Sequence, residues 1–366
     1  MQTPKKLRVG ILFGGKSAEH EVSLQSAKNV FDAIDRSRFD VSLIAIDKSG
    51  HWLFPSQSEF LLHADDPKTI ALNKSEGENV TLVPESSGAL TRLNHPGEGG
   101  SVDVVFPILH GPFGEDGTVQ GLLKLAGVPF VGASVLGSAV GMDKDVMKRL
   151  LRDAGIPVAD FLVFTSGDTI AYETVKNQLG LPLFIKPANL GSSIGVSKVR
   201  NETEFRAALE MAFEYDTKIL IEEYIEGREL ECALLGNEHP SASCVGEIIP
   251  QREFYSYEAK YLDEAGALLE VPAKISGDLT KKIQALAIQT FQVLSCEGLA
   301  RVDFFLSGEG KLFVNEINTL PGFTKISMYP RLWGESGVPY RELITRLIEL
   351  ALERFEKEKR LKNTFC

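Results

Sequence analysis

The sequence predicts an α/β protein that passes into an α+β arrangement, and three stretches carry that prediction. Residues 7–47 read as strand, turn, helix and strand, the βαβ order of a parallel sheet with a ligand crevice at its carboxyl edge. An apolar strand interrupted by Lys186 runs into a Gly/Ser loop, Asn189 to Gly195. Residues Arg301 to Gly322, RVDFFLSGEGKLFVNEINTLPG, hold two aromatic and β-branched runs around a Ser-Gly-Glu-Gly turn, which signals a hairpin.

The first stretch opens with LRVGILF as a buried strand, GGKSAEHEVS as a turn entering a helix, and DVSLIAID as a second strand. Gly14-Gly15-Lys16-Ser17 is not G-x-G-x-x-G, which argues against a dinucleotide site. Glu19 and His20 are expected in the first helical turn, where Glu19 either compensates the helix dipole or faces the crevice. VTLVPESSGALTRL reads as a hairpin, and no chemistry is visible between residues 48 and 100. VDVVFPIL is a further buried strand that delivers His110, Glu115 and Asp116 in a Gly-rich loop to the edge where Glu19 lies. A structural hydrogen bond within that loop is the alternative role for His110.

A Gly-rich segment near residue 140 leads into a helix from Asp143, stopped by Gly155 and Pro157. Lys144 falls in its first turn, unfavourable to the dipole unless an anion is nearby; a solvated lysine is the alternative. Lys186 in an apolar strand requires a partner. The Gly/Ser loop after it can turn backbone N–H groups toward phosphate, although it is not a Walker A motif. KILIEEYIEGRELECALLG reads as two strands joined through Glu226-Gly227, with Glu222, Glu223 and Glu229 around the join. These carboxylates suit an adenine amino group and ribose hydroxyls, or a solvated strand edge. Residues 253–266, long and aromatic, read as a lid. The final helix presents Leu343, Ile344, Leu347, Ile348 and Ala351 on one face.

Within the hairpin, alternation puts Arg301, Asp303 and Phe305 on one face of the first run, and Val314, Glu316 and Asn318 on one face of the second. Symmetric closure sets Asp303 opposite Glu316 and Arg301 opposite Asn318. The other face, Val302, Phe304, Leu306, Phe313 and Ile317, belongs to a core. Two carboxylates and a carboxamide suit Mg²⁺, which takes hard oxygen ligands and shares its shell with water and phosphate. A merely solvated face would hardly need Phe305 and Val314. Pro321 and Gly322 then bend the backbone so that it can offer an N–H to a ligand.

Composition sets the outer bounds. The 366 residues suffice for two or three domains. Hydrophobic content of 43% and charged content of 24% are ordinary for a soluble globular protein. A formal net charge of -11 argues against a nucleic-acid partner. Cys232, Cys244, Cys296 and Cys366 form no C-x-x-C, so neither zinc nor a disulfide framework is signalled and a cytoplasmic location is expected. The apolar run Val9 to Phe13 is too short for a signal peptide, and no stretch reaches transmembrane length.

GGKSAEHEVS, HGPFGEDGTVQG, GSSIGVSKV, YEAKY, RVDFF and NEINTLPG, in this order, resemble the D-alanine–D-alanine ligases of the ATP-grasp superfamily from Val9 to about Ser327. The resemblance implies an ATP-grasp fold with a Rossmann-like N-terminal domain at 1–140, a central domain at 141–216 and a C-terminal domain at 217–366 that carries the 253–266 lid and the metal site. It implies ATP-dependent joining of two D-alanines through an acyl phosphate, for peptidoglycan precursor synthesis, in a homodimer. Asp303, Glu316 and Asn318 match ligands of two Mg²⁺ ions, for which Mn²⁺ can substitute. Arg301 and the N–H of Gly322 match oxyanion-stabilising groups. Glu19, Ser192 and Tyr261 match a set linking the first substrate's amine to the lid, and His110 matches a neighbour of its carboxylate. Lys260, Ser327 and the N–H of Met328 match the second carboxylate's site. Lys144 and Lys186 match phosphate-binding lysines; Glu222, Glu223, Ile225 and Glu229 match the nucleotide cradle, Ile225 through backbone alone. Glu223 stands where some relatives carry lysine, and HGPFGEDG departs between its glycines. Related ligases joining D-alanine to D-lactate or D-serine are one alternative. A non-catalytic nucleotide-binding protein is another, which loss of the metal ligands or Arg301 would favour, and all are present.

Overall fold

The N-terminal sheet grows from the strand–helix–strand unit. In the computed structural model, which describes residues 5–55, 60–64, 66, 69–73, 77–95, 99–250 and 267–362, β1 (Leu7–Gly14) and β2 (Phe39–Ile46) pair in parallel, joined by α1 (His20–Ala33). Three short strands follow, β3 (Trp52–Phe54), β4 (Leu61–Leu62) and β5 (Ala71–Leu72). Then come the expected hairpin of β6 (Glu78–Leu82) and β7 (Leu90–Arg92), and β8 (Val104–Leu109). The sheet order is β7-β6-β3-β2-β1-β8, with β8 parallel to β1. Because β8 is buried along its whole length and β1 nearly so, both read as continuous apolar runs rather than alternating ones.

After α2 (Thr118–Leu125), the Gly-rich segment forms α3 (Val135–Met142), which leads into α4 (Lys144–Asp153). Its glycines serve close approach: a Cβ on Gly137 would stand 2.5 Å from the Ser295 carbonyl oxygen, and one on Gly141 2.8 Å from Thr319 Cγ2. β9 (Phe161–Thr165), α5 (Tyr172–Leu179), β10 (Leu183–Pro187), β11 (Ser197–Val199), α6 (Glu202–Tyr215) and β12 (Lys218–Glu223) build an antiparallel sheet in the order β11-β10-β12-β9.

β13 (Gly227–Gly236) leaves that sheet. With β14 (Ser241–Pro250), β15 (Ala267–Glu270), β16 (Gly298–Ser307) and β17 (Leu312–Asn318) it forms a second antiparallel sheet, β15-β14-β13-β16-β17. The join at Glu226-Gly227 thus hands the chain from one sheet to the next. A parallel bridge between Val158 and Val314 ties β17 to the segment before β9.

α7 (Gly277–Val293) buries Ile283, Ala287 and Phe291 against Leu230, Cys232, Val302, Phe304 and Val314. At roughly 1.5–3 kcal/mol per large apolar side chain removed from water, this layer is the backing of the hairpin. α8 (Met328–Glu335) and α9 (Tyr340–Glu358) close the chain, α9 through the five apolar residues expected of it. Among the described residues no helix is long and apolar enough to cross a membrane.

The hairpin corrects one sequence expectation. Arg301 pairs with Asn318 and Asp303 with Glu316, as symmetric closure requires, but Phe304 then pairs with Val314, leaving Asn315 as an extra residue. Such a bulge inverts the alternation on its far side. Val314 is therefore fully buried in the core, and Phe313 is half-buried beside Phe305, the reverse of strict alternation from Glu316.

Candidate active site

The hairpin's polar face is a single connected cluster. Arg301 donates to both oxygens of Asp303, Nε to Oδ1 and Nη2 to Oδ2, each at 2.7 Å. Asn318 Nδ2 donates to Asp303 Oδ2 at 3.0 Å. Arg301 Nε also lies 3.0 Å from Oε2 of Glu231, which stands opposite Asp303 on β13. Sequence reading missed Glu231, a buried carboxylate. The signal was available in Glu229-Leu230-Glu231-Cys232, where polar and apolar residues alternate within a strand. Among the described residues no three His, Cys, Asp or Glu side chains converge as a cage. Asp303, Glu316 and Asn318 are two carboxylates and an amide, all oxygen donors, which fits a hard cation completing its shell from water and phosphate oxygens.

Lys144 bridges this cluster to the Gly/Ser loop. Asp143 caps α4, accepting from the N–H groups of Asp145 and Val146 at 3.1 Å each, and this sets Lys144 at the helix start. Its Nζ donates to the Leu190 carbonyl at 2.6 Å and lies 3.4 Å from Glu316 Oε2, so it is buried rather than solvated. The loop itself holds Ser192 and Ser193 in the left-handed region, at φ 52° and 60°. That conformation costs about 1–3 kcal/mol per non-glycine residue and is typical of loops that hold ligands.

Ser192 Oγ donates to Glu19 Oε1, joining the N-terminal sheet's edge to this loop. The expected first-turn placement of Glu19 needs correction: α1 begins at His20, and Glu19 occupies the cap position without capping. A Cβ on Gly111, whose φ is +76°, would fall 2.8 Å from Glu19 Oε2, so only glycine leaves that carboxylate its place. His20 is buried with Nδ1 2.8 Å from the Gly15 carbonyl, a structural role.

His110 is buried, Nδ1 3.0 Å from the Leu320 carbonyl and 4.0 Å from Glu115 Oε1, with Nε2 3.5 Å from Ser26 Oγ. Burial alone would lower its pKa. The carboxylates of Glu115 and Glu19 and the Leu320 carbonyl outweigh that and hold it above the ordinary value. His110 thereby fastens the end of β8 to the bend before Gly322. A cavity of about 320 Å³ beside it is lined by Gly15, Lys16, Trp52, Phe113 and their neighbours.

Glu222 is buried, its Oε2 2.6 Å from Lys186 Nζ and its Oε1 3.3 Å from Lys148 Nζ. Lys186 thus has the partner its strand position demands. Burial would raise the Glu222 pKa, but the two ammonium groups hold it below the usual carboxylate range. Burial pushes Lys148 down, with Lys186 adding to the push and Glu222 opposing it. Glu223 turns away, accepting from the Asp160 N–H at 2.8 Å. Its carboxylate therefore belongs to the β9 side of the sheet edge. Ile225 is half-buried in the join, and Glu229 lies beyond it on the second sheet, across from Phe305.

Ser327 Oγ lies 2.7 Å from Thr324 Oγ1 and would be 3.0 Å from a Cβ on Gly322. Ser327 makes no side-chain cap on α8, so the helix starts at Met328 with its N–H groups directed at this corner, a favourable place for a carboxylate. Lys260, Tyr261 and the expected lid at 253–266 lie outside the described residues.

Comparison with known proteins identifies the family of the chain. Residues 8–133 match the family described as D-ala D-ala ligase N-terminus, and residues 150–349 the one described as D-ala D-ala ligase C-terminus. The D-alanine–D-alanine ligase of Shouchella clausii is 59% identical over 98% of this chain and 98% of its own length. The structure of the D-alanine–D-alanine ligase from Coxiella burnetii superposes with a TM-score of 0.86 at 41% identity, covering 97% of this chain and 96% of that one. The VanG D-Ala:D-Ser ligase of Enterococcus faecalis gives 0.84 at 36% identity, over 95% of this chain and 100% of that one. With both family matches and near full-length identity of this order, the chain belongs to the D-alanine–D-alanine ligases and has their ATP-grasp fold.

Proposed function

We propose that this chain joins two D-alanine molecules into D-alanyl-D-alanine at the expense of ATP, serving peptidoglycan precursor synthesis in the cytoplasm as a homodimer. A carboxylate oxygen of the first D-alanine attacks the γ-phosphorus, the bond to the ADP oxygen breaks, and an acyl phosphate forms. The amine of the second D-alanine then attacks the acyl carbon and gives up a proton, and the carbon–oxygen bond to phosphate breaks. The observation that carries this reading is the single polar face holding Arg301, Asp303, Glu316 and Asn318, with Lys144 within 3.4 Å of Glu316.

Asp303, Glu316 and Asn318 would hold two Mg²⁺ ions, or Mn²⁺ in their place, and when bound these neutralise the transferring phosphates. Lys144 and Lys186 bind phosphate oxygens. Glu222 accepts from the adenine amino group, the Ile225 backbone meets the base edge, Glu229 receives the ribose hydroxyls, and Glu223 braces the cradle from the β9 side. Glu19 and Ser192, with Tyr261, orient the first D-alanine's amine, and His110 faces its carboxylate. Lys260, Ser327 and the Met328 N–H receive the second carboxylate, while Arg301 and the Gly322 N–H stabilise the oxyanion of the tetrahedral intermediate. The deciding experiment is phosphate release with ATP and D-alanine, compared with D-serine or D-lactate as second substrate. D-Alanine alone should support full turnover. A rate that requires D-serine or D-lactate would overturn the reading.

A further inference from the structure

Lys148 has no role in the scheme above, yet it is one of the most deeply buried charged side chains among the described residues, 1% exposed. It follows Lys144 by four residues on α4, so both project from the same helix face. Its Nζ sits 3.3 Å from Glu222 Oε1 and 5.8 Å from the centre of the Phe161 ring. Glu222 is thus held at both ends, by Lys186 on Oε2 and Lys148 on Oε1.

A one-to-one pair of Lys186 and Glu222 would already satisfy the charge of the strand lysine. Burying a second ammonium beside it carries a desolvation cost, and so demands a reason. Lys148 Nζ and Glu222 Oε1 supply one: both are buried and neither makes a well-formed hydrogen bond. Oε1 therefore keeps a lone pair to offer, fixed in direction by the charge beside it. A carboxylate left to Lys186 alone is free to turn both oxygens onto that ammonium, withdrawing its acceptor and neutralising a cation needed for phosphate.

We propose that Lys148 is a positioning residue for base recognition, holding Glu222 as an ionised acceptor that selects a purine with an exocyclic amino group at C6 over one with a carbonyl there. This rests on the reading that Glu222 meets the adenine amine. A 6-oxo purine sets its own oxygen against the carboxylate, and buried polar groups left unpaired are what give such sites their discrimination.

The test is phosphate release by the full-length enzyme with D-alanine and either ATP or inosine triphosphate. The wild type should prefer ATP in kcat/KM. In Lys148→Met, which keeps the length of the side chain, that preference should fall by about tenfold or more. The loss should enter through the KM for nucleotide, with the KM for D-alanine unmoved, and Lys148→Arg should restore most of the preference. Glu222→Gln should lose the preference as well. If Glu222→Gln loses it while Lys148→Met keeps the wild-type ratio, the inference about Lys148 is overturned and the base reading stands. If Glu222→Gln keeps it, the base reading fails and the inference with it. Circular dichroism checks the fold; where Lys148→Met does not fold, Lys148→Gln is read in its place, and a wild-type ratio there overturns the inference equally.

Discussion

Two charged clusters stand on two antiparallel sheets, β11-β10-β12-β9 and β15-β14-β13-β16-β17, and their charge balances are opposite. On the hairpin, Glu231, Asp303 and Glu316 face Arg301 and Lys144, an excess of one carboxylate. Between β10, β12 and α4, Lys148 and Lys186 share Glu222, an excess of one ammonium. The first is the more open, with 14% of the Asp303 side chain and 23% of the Glu316 side chain exposed against 4% for Glu231; the second is more enclosed, at 1% for Lys148, 4% for Glu222 and 11% for Lys186. An open acidic cluster suits an exchangeable hydrated cation. A more enclosed basic one suits polar groups of a ligand that are recognised with little water. A Mg²⁺-bearing nucleotide, as proposed above, would account for two clusters of opposite sign.

The largest effect should come from removing a hairpin carboxylate. Glu316→Ala should abolish phosphate release at saturating Mg²⁺, because the cation this carboxylate would hold is what neutralises the charge in transfer; near-normal turnover would break the contrast between the clusters. Arg301→Met should lower kcat by roughly 10²–10³-fold, the cost of losing one preorganised donor to an oxyanion. A fall confined to the KM for ATP would instead move Arg301 into the nucleotide site. Glu231→Gln should cost less, about 10–100-fold, because it acts on Arg301 and Asp303 from outside. Single-turnover phosphate transfer would show whether the loss lies in chemistry, and unchanged rates would reduce Glu231 to a structural residue.

Legibility in the sequence followed the physics of each element. The β1–α1–β2 unit and the alternation of β16 were readable because period and punctuation are local properties. The core face of α9 was readable for the same reason. Val314 and Phe313 were exchanged because a bulge leaves no periodic trace: one extra residue at Asn315 inverts everything on its far side. Glu231 and Lys148 were missed for another reason. Alternation marks Glu231 as a polar residue within an apolar strand, but the partner of each lies far away in the chain, Asp303 for Glu231 and Glu222 for Lys148, and no spacing rule supplies the pairing. From spacing alone Glu19 was a helix-start residue that either compensates the dipole or faces the crevice; only the family resemblance joined it to Ser192, 173 residues away.

The smallest expected effect concerns His110, which belongs to neither cluster but fixes the N-terminal crevice to the bend that carries Gly322. The charged groups around it are Glu115 and Glu19, with the Leu320 carbonyl on its Nδ1 side. Since these hold the folded-state pKa above the ordinary value of about 6.5, the ring holds its proton more tightly in the folded state than in the unfolded one. The stabilisation is therefore fully present below the unfolded pKa and is lost as pH rises through the folded one. His110→Gln keeps a donor but cannot charge. Its deficit in denaturant midpoint relative to the wild type should be largest near pH 6 and should shrink as pH rises above the ordinary histidine range. Comparing the two proteins at each pH cancels the titration of groups not coupled to His110. A deficit that stays constant across that range would show that His110 contributes only its hydrogen bond to Leu320.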